Sequence, residues 1–392
     1  MILVTKPSLP PKEKYEQYLA GIWDRQYLTN NGPLLRLLEQ RLQDYLQVDG
    51  INIVSNGTTA LQLAIRALDL KGEIITTPFS FVATTSSIVW QGCRPVFADI
   101  KPETLNIDPE KIEEFITPHT TAILATHVYG NPCDVEAIAD LANRHGLKVI
   151  YDAAHAFGTL FKGESIYRWG DISITSFHAT KLFHTIEGGA LFASDRELTS
   201  RIQRMRNFGH NGTGGFDGVG INGKNSEFHA AMGLCNLDSF DNLLETRKRQ
   251  HLFYYNQLND LNLRFPETLD EVDWNRAYFP VIFDSENRCL QVKKGLERFQ
   301  IQTRRYFYPS LNRLDYVDRQ KAEISCNLAP RILCLPLYDE LTLKDQMMIT
   351  GIIRKILEKR PSQLPKQRSS AAGSISSCGL RVHVQSNGSL TN

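Results

Sequence analysis

A small, hydroxyl-rich segment after a β-rich run is the first place where the sequence combines the residue types of a ligand site. It covers residues 55–61 and contains Gly57, Thr58 and Thr59. Glycine permits a tight turn, and the threonines offer hydroxyl and amide groups at a helix N-terminus, where unpaired N–H groups and the helix dipole favour an anion. The segment predicts a phosphate site, with a plain helix N-cap as the alternative.

A carboxylate closes a second β-rich run, at residues 147–151. Asp152 follows this run directly, with small residues at 153, 154 and 156 and with His155 among them. Ligands of open α/β sheets bind at the carboxyl ends of the strands, so Asp152 is placed to pair with a cationic ring nitrogen of a flat ligand. A helix-capping aspartate is the alternative reading of the same residue.

The third segment, residues 176–181, joins a hydroxyl and an amine at the end of another β-rich run. Ser176 offers a further donor to an anion, and Lys181 lies among apolar and small residues. Lysines usually face solvent, but desolvation at this position would lower the pKa of Lys181 and leave a nucleophilic amine. His155, His178 and His184 match no zinc spacing, so we expect no metal.

Together, the three segments predict a phosphate anchor, a carboxylate and a lysine at the ends of three strands of one sheet. Pyridoxal 5′-phosphate (PLP) needs these elements: a phosphate anchor, an acidic partner for its pyridine nitrogen and a lysine for the Schiff base. An aromatic side chain is also expected against the ring. Phe81 is the candidate, with packing in the core as its alternative role.

Alternating β-rich runs and amphipathic segments position these residues. Strands are predicted at 51–54, 73–77, 95–99, 122–125, 147–151, 171–175 and 189–193, and helices at 58–68, 81–91, 109–116 and 134–145. This alternation predicts an α/β fold with a mainly parallel seven-stranded sheet. The last two strands are close in sequence, which favours a partly antiparallel arrangement there. A long helix is predicted from about 226 to 251, with the basic cluster 247–249 as its solvated end.

Composition narrows the classes of function. The chain has 392 residues and a net charge of +1, which provides no general electrostatic attraction for nucleic acid or an anionic membrane. No apolar run reaches the ~20 residues of a membrane helix. Seven cysteines without a CxxC pair favour reduced thiols and a cytoplasmic location. We predict a large domain at 1–250, a smaller α+β domain at 251–360 and a disordered, Ser-rich tail at 361–392.

The three segments together resemble the DegT/DnrJ/EryC1/StrS family of sugar-nucleotide aminotransferases, which are fold-type I PLP enzymes. The resemblance covers residues 3–358 and implies that Lys181 forms the Schiff base and that Asp152 pairs with the pyridine nitrogen. It also implies a homodimer in which a residue of the neighbouring subunit reaches the phosphate. The remaining cofactor residues that it implies are Gly57, Thr58, Thr59 and Ser176 at the phosphate, Phe81 over the ring, His155 near its phenolic oxygen, and Asn222 or Lys224 from the neighbouring subunit.

Within this family, residues 4–7, 28–33 and 176–181 are most similar to members that aminate C4 of a dTDP-linked 4-keto-6-deoxy sugar for O-antigen synthesis. The resemblance implies L-glutamate as amino donor. Amination at C3, or formation of the galactose epimer, is the alternative within the family, and a catalytically silent sensor or scaffold is the alternative outside it. The candidate substrate residues are Asn30, Asn31, His210, Tyr306 and Tyr308.

Overall fold

A seven-stranded, mainly parallel sheet organises the chain and confirms the predicted fold class. The computed structural model describes residues 1–212 and 214–358. The strands are β1 (Ile51–Val54), β2 (Glu73–Thr76), β3 (Arg94–Phe97), β4 (Thr120–Thr126), β5 (Lys148–Asp152), β6 (Leu160–Phe161), β7 (Glu164–Ser165), β8 (Ile172–Ser176), β9 (Gly189–Phe192), β10 (Val272–Asp273), β11 (Phe279–Ile282) and β12 (Ile332–Leu335). The helices are α1 (Lys12–Arg25), α2 (Pro33–Leu46), α3 (Gly57–Ala67), α4 (Val82–Trp90), α5 (Pro109–Glu114), α6 (Val135–His145), α7 (Arg196–Met205), α8 (Glu227–Leu237), α9 (Phe240–Leu258), α10 (Glu286–Glu297), α11 (Glu323–Leu328) and α12 (Leu343–Leu357).

The order of strands in the main sheet is β1-β9-β8-β5-β4-β2-β3. Strands β2, β3, β4, β5 and β8 are parallel, and β9 runs antiparallel between β1 and β8. All seven predicted strands are present, and so is the predicted antiparallel element. The carboxyl ends of β1, β2, β4, β5 and β8 therefore share one edge with the start of β9.

Apolar side chains bury both faces of this sheet. One core includes buried residues of α2, α6 and α8, and the other includes those of α3 and α7. Strand β1 is buried along its whole length, as expected for a strand covered by helices on both faces. Packing on two sides holds the strand ends in place, which positions the residues that follow them.

The predicted helix at 226–251 is wrong in one respect: two helices, α8 and α9, occupy this region. Ser226, near which the helix is predicted to begin, caps α8 by accepting the backbone N–H of His229. The break falls at Asp238, whose carboxylate pairs with Lys14 and Arg41, and at Ser239, whose hydroxyl donates to the carbonyl of Asn236. Aspartate and serine favour helix ends because their side chains compete for backbone hydrogen bonds.

The prediction that the basic cluster 247–249 forms the solvated end of this helix is also wrong. Helix α9 continues to Leu258, so these residues lie in its middle, and Arg247 is only 6% exposed. Burial lowers the pKa of Arg247 to about 10. The alternation of charged residues along α9 does not show which of them faces inward, because that depends on the elements that pack against it.

The C-terminal part of the chain contains a smaller α+β arrangement. Strands β11 and β12 form an antiparallel pair, and α9, α10 and α12 contribute to the apolar core around it. The predicted boundary at 250/251 falls inside α9, and residues 1–358 form one compact unit, so the division into two domains stays a prediction. The predicted tail at 361–392 lies outside the described residues. Within the described ranges, no helix has the length and apolar character needed to cross a bilayer.

Candidate active site

A cavity of about 470 Å³ opens at the edge where the parallel strands end. It contains residues at the ends of β1, β5 and β8, as the three sequence segments predict, and a residue at the end of β4, which those segments do not include. Of the predicted site residues, it is lined by Gly57, Thr58, Phe81, Asp152, His155, Ser176, Lys181 and Tyr306. A second cavity of about 500 Å³, lined by residues 312–326, includes none of them.

The N-terminus of α3 lies at the cavity, where the sequence predicts a phosphate cradle. Its cap is Asn56, whose side chain accepts the backbone N–H of Thr59 at 2.8 Å, so the threonines are not the cap. Glycine is required at position 57 because helix α3 approaches strand β8 closely there, and not because the backbone makes a left-handed turn. A Cβ at this position would lie 2.9 Å from the Cβ of Ser176. A Cβ on Gly189 of β9 would likewise lie 2.7 Å from the backbone nitrogen of Gly57. The N-terminus of α3, a helix end that favours an anion, is thus held directly against β8 and β9.

Asp152 is buried beside the cavity, with 5% of its surface exposed. Its Oδ2 accepts the hydroxyl of Thr84 at 2.6 Å, and its Oδ1 accepts the backbone N–H of Ala154 at 3.2 Å. No helix begins after Asp152, so the helix-capping alternative is excluded. Burial raises the pKa of this carboxyl, while the hydrogen bonds from Thr84 and Ala154 and the positive charge of Lys181 act in the opposite direction.

Aromatic side chains surround the cavity on the side of His155. Phe81 is 45% exposed at the cavity wall, which excludes the alternative that it packs in the core. The hydroxyl of Tyr306 lies 3.4 Å from Nε2 of His155. Burial, together with the nearby charges of Lys181 and Arg304, holds the pKa of His155 well below its usual range. The imidazole is therefore neutral at pH 7.

Lys181 has the environment that the sequence predicts for a reactive amine. Burial lowers its pKa to about 8, with Asp152 raising it and Arg304 lowering it. At pH 7 about one amine in ten is then neutral, compared with about one in three thousand at the ordinary lysine pKa. Only the neutral amine attacks a carbonyl or removes a proton.

The capture of PLP by cofactor-free protein should show this pKa directly. We expect the rate of Schiff-base formation by Lys181 to rise about eightfold between pH 7 and 8.5 and to level off above pH 9, because neutralisation is then nearly complete. Stopped-flow absorbance at ~410 nm measures this rate. A rate that continues to rise steeply to pH 10.5 would contradict the lowered pKa.

Several predicted residues lie outside the cavity of their own chain. Asn30, His210 and Tyr308 are exposed and Asn31 is half-buried, and none of them lines the cavity. Thr59, on α3 between the lining residues Thr58 and Leu61, does not itself line the cavity. Asn222 and Lys224 hydrogen-bond to each other at 2.7 Å on a segment that passes the end of β1, where Gly223 accepts the backbone N–H of Ser55. The roles of all these residues stay predictions.

The structure also brings residues to the cavity that the sequence argument missed. Ser80 and Thr126 line it, and Thr84 lies behind Asp152. Thr126 ends strand β4, so the strand-end argument that found Asp152 also applies to it. Arg304, from the C-terminal part of the chain, lines the cavity as well. No local pattern indicates Arg304, because its position depends on contacts distant in sequence.

The residues at the cavity fit PLP. The close packing of Gly57 leaves no room for a side chain at the cradle, and His155 has a buried Nδ1 without a hydrogen-bond partner among the described residues. The carboxylate, the cradle and the amine are three separate groups on one cavity, as the cofactor requires. Among residues 1–212 and 214–358, no group of three or more His, Cys, Asp or Glu is arranged to hold a metal.

Comparison with known proteins agrees with this geometry. Residues 11–354 match the DegT/DnrJ/EryC1/StrS aminotransferase family. The chain is 44% identical to dTDP-4-amino-4,6-dideoxy-D-glucose transaminase of Shigella dysenteriae (91% of this chain, 99% of the relative) and 39% identical to that of Escherichia coli (90% and 98%). The solved structure of DesI in the presence of its TDP-sugar product superposes with a TM-score of 0.86 at 34% identity, covering 90% of this chain and 92% of DesI.

The chain therefore belongs to the DegT/DnrJ/EryC1/StrS aminotransferase family. It is a PLP-dependent aminotransferase of the fold-type I class.

Proposed function

We propose that this enzyme transfers an amino group from L-glutamate to C4 of dTDP-4-dehydro-6-deoxy-D-glucose, giving dTDP-4-amino-4,6-dideoxyglucose for O-antigen or related polysaccharide synthesis. The observation that carries the proposal is the 44% identity, over nearly the whole length of both chains, to a relative named for that product. The cavity supports it, because the phosphate cradle, Asp152 and Lys181 are all present together.

In this proposal Lys181 moves the protons of both half-reactions. Bound PLP supplies an electron sink for the negative charge that develops at the reacting carbon. Asp152 would hold the ring nitrogen of the cofactor protonated, and the N-terminus of α3 with Ser176 would hold its phosphate. The amine of Lys181 would remove the proton from the α-carbon of glutamate and, in the second half-reaction, deliver a proton to C4 of the sugar. Water releases 2-oxoglutarate in the first half-reaction, and the amino group of glutamate passes to the sugar in the second.

Product analysis tests the proposed reaction. The enzyme is incubated with dTDP-4-dehydro-6-deoxy-D-glucose and L-glutamate, and the product is examined by NMR. We expect an equatorial amine at C4 and one equivalent of 2-oxoglutarate. An axial amine at C4, an amine at C3 from the 3-keto isomer, or no turnover with any keto sugar nucleotide would overturn the proposal. The last result, together with the absence of a ~410 nm band, would favour the silent scaffold.

The position of Arg304 at the cavity supports an amino donor that carries carboxylate groups. Its guanidinium lies 4.2 Å from the ring centre of Tyr306, and its backbone pairs with Cys334 of β12. The neighbouring Arg305 is ion-paired with Glu286 at 2.7 Å, whereas Arg304 has no ion-pair partner among the described residues. A guanidinium that is stacked on one face keeps its N–H edge available for a carboxylate. We propose that Arg304 binds a carboxylate of glutamate.

Arg304→Gln should weaken the glutamate half-reaction. We expect the glutamate concentration for half-maximal rate to rise about 10–100-fold, the effect of losing a hydrogen bond to a charged group. The half-reaction with the sugar should change less than about twofold. The absorption change of the bound cofactor from ~410 to ~330 nm follows the first step. Arg298→Gln, an exposed arginine of the same region, is the control. A loss confined to the sugar half-reaction would assign Arg304 to the diphosphate instead.

We also propose a homodimer with shared active sites, working in the cytoplasm. Asn222 is exposed and Lys224 half-buried on the surface of their own chain, which suits residues that reach a neighbouring subunit. Burial lowers the pKa of Lys224. The six cysteines of the described ranges are free thiols, consistent with a reducing compartment.

Subunit complementation tests the shared site. Lys181→Ala and the double variant Asn222→Ala/Lys224→Ala are each expected to be nearly inactive. When they are mixed and allowed to exchange subunits, half of the dimers are mixed and each regains one intact site, so about a quarter of wild-type activity should return. No recovery after exchange, which mass measurement verifies, would mean that Asn222 and Lys224 act within their own chain.

A further inference from the structure

A chain of three hydroxyl groups leads from strand β4 to the carboxylate of Asp152. Thr126 Oγ1 donates to Ser80 Oγ at 3.0 Å, the hydroxyls of Ser80 and Thr84 are 2.7 Å apart, and Thr84 Oγ1 donates to Asp152 Oδ2 at 2.6 Å. All four side chains are at most 5% exposed. Ser80, Thr126 and Asp152 line the cavity, and Thr84 lies behind the carboxylate.

The direction of this chain follows from the number of protons. A hydroxyl has one proton to donate, and an ionised carboxylate only accepts. Because Thr84 gives its proton to Asp152, Ser80 must give its own to Thr84, and Thr126 completes the series. Each hydroxyl is thus polarised by the one before it, which strengthens the final bond to the carboxylate in a buried environment.

The other oxygen of Asp152 is held separately. Oδ1 accepts the backbone N–H of Ala154 at 3.2 Å, so each carboxylate oxygen has its own partner and the side chain is fixed in one orientation. Burial disfavours the ionised form of Asp152, and the hydrogen bond from Thr84 is the first of the contacts that offset this effect.

We propose that Thr84, supported by Ser80 and Thr126, is a positioning residue that keeps Asp152 ionised and aimed at the ring nitrogen of the cofactor. This inference rests on the proposed pairing of Asp152 with that nitrogen. Thr84 does not line the cavity, and it acts only through the carboxylate.

Helix α4 provides a matched pair of variants for the test. Thr85, the next residue, is as fully buried as Thr84, but its Oγ1 has no hydrogen-bond partner among the described residues. Thr84→Val and Thr85→Val therefore remove the same atom from neighbouring buried sites, and only the first breaks a bond to Asp152. Thr84→Ser restores the hydroxyl and should restore the wild-type behaviour.

The readout is retention of pyridoxamine 5′-phosphate, which makes no covalent bond to Lys181. The enzyme loaded with this compound is dialysed between pH 5 and 8, and the bound fraction is measured by absorbance. Retention falls as Asp152 becomes protonated at low pH. Thr84→Val raises the pKa of Asp152, so the midpoint of this loss should move up by about one pH unit, whereas Thr85→Val and Thr84→Ser should match the wild type. The phosphate of pyridoxamine 5′-phosphate also ionises in this pH range, but it does so equally in all the variants and cannot cause a difference between their midpoints.

Kinetics and a fourth variant complete the experiment. Thr84→Val should lower kcat about tenfold and change KM less than about twofold. Asp152→Asn should retain the compound poorly at every pH. If Asp152→Asn fails in this way while Thr84→Val has the same midpoint as Thr85→Val, the positioning role of Thr84 is wrong. If Asp152→Asn retains the compound normally, the pairing of Asp152 with the ring nitrogen is wrong, and the role of Thr84 is overturned with it.

Discussion

Lys181→Ala is expected to reduce turnover by about four orders of magnitude or more while leaving the fold intact. The variant loses both the amine that forms the Schiff base and the base that moves protons, and each contribution alone is large. Stability should be unchanged or slightly higher, because the substitution removes an amine whose burial disfavours its charge. Steady-state formation of 2-oxoglutarate and thermal unfolding of the same preparation measure the two effects.

Two further substitutions separate the role of Lys181 from a general charge effect. Lys181→Arg keeps the positive charge but cannot release its proton near neutral pH, so it should be as inactive as Lys181→Ala. Lys294→Ala removes an exposed lysine of α10 and should leave turnover unchanged. Substantial activity in both Lys181 variants would overturn the assignment of this residue.

Asp152→Asn is expected to lower kcat by about 10³-fold. Asparagine has nearly the same size and can still accept the hydrogen bond from Thr84, but it has no charge to keep the ring nitrogen protonated. Both half-reactions should slow, because both depend on the same electron sink. Single-turnover absorbance changes with glutamate and with the amino sugar measure the two rates separately.

The matched control for this prediction is Asp171→Asn. Asp152 ends strand β5, whereas Asp171 directly precedes strand β8 and so lies at the opposite edge of the main sheet. The carboxylate of Asp171 accepts a hydrogen bond from Lys148 at 2.7 Å. We expect this variant to keep both half-reaction rates within about twofold of wild type. A slowing of only one half-reaction by Asp152→Asn would argue against a shared role at the cofactor.

The strands of the sheet and the polar residues at their ends could be predicted from the sequence, because each depends on a short continuous segment of the chain. Each strand is a short apolar run, and Asp152 and Ser176 end the runs that contain them. Parallel strands bring their carboxyl ends to one edge, so residues at those ends approach each other even though they are far apart in sequence. The cradle at Gly57 and the amine of Lys181 were located by the same argument.

Contacts between side chains on different elements were decided only by the tertiary structure. Thr84 meets Asp152 across 68 residues, and Arg304 reaches the cavity from the C-terminal part of the chain. The reason that position 57 must be glycine is its contact with Ser176, not a local turn. The burial of Arg247 likewise depends on what packs against α9. Periodicity and strand ends give the position of a residue along an element, but partners, burial and pKa arise only when the elements pack together.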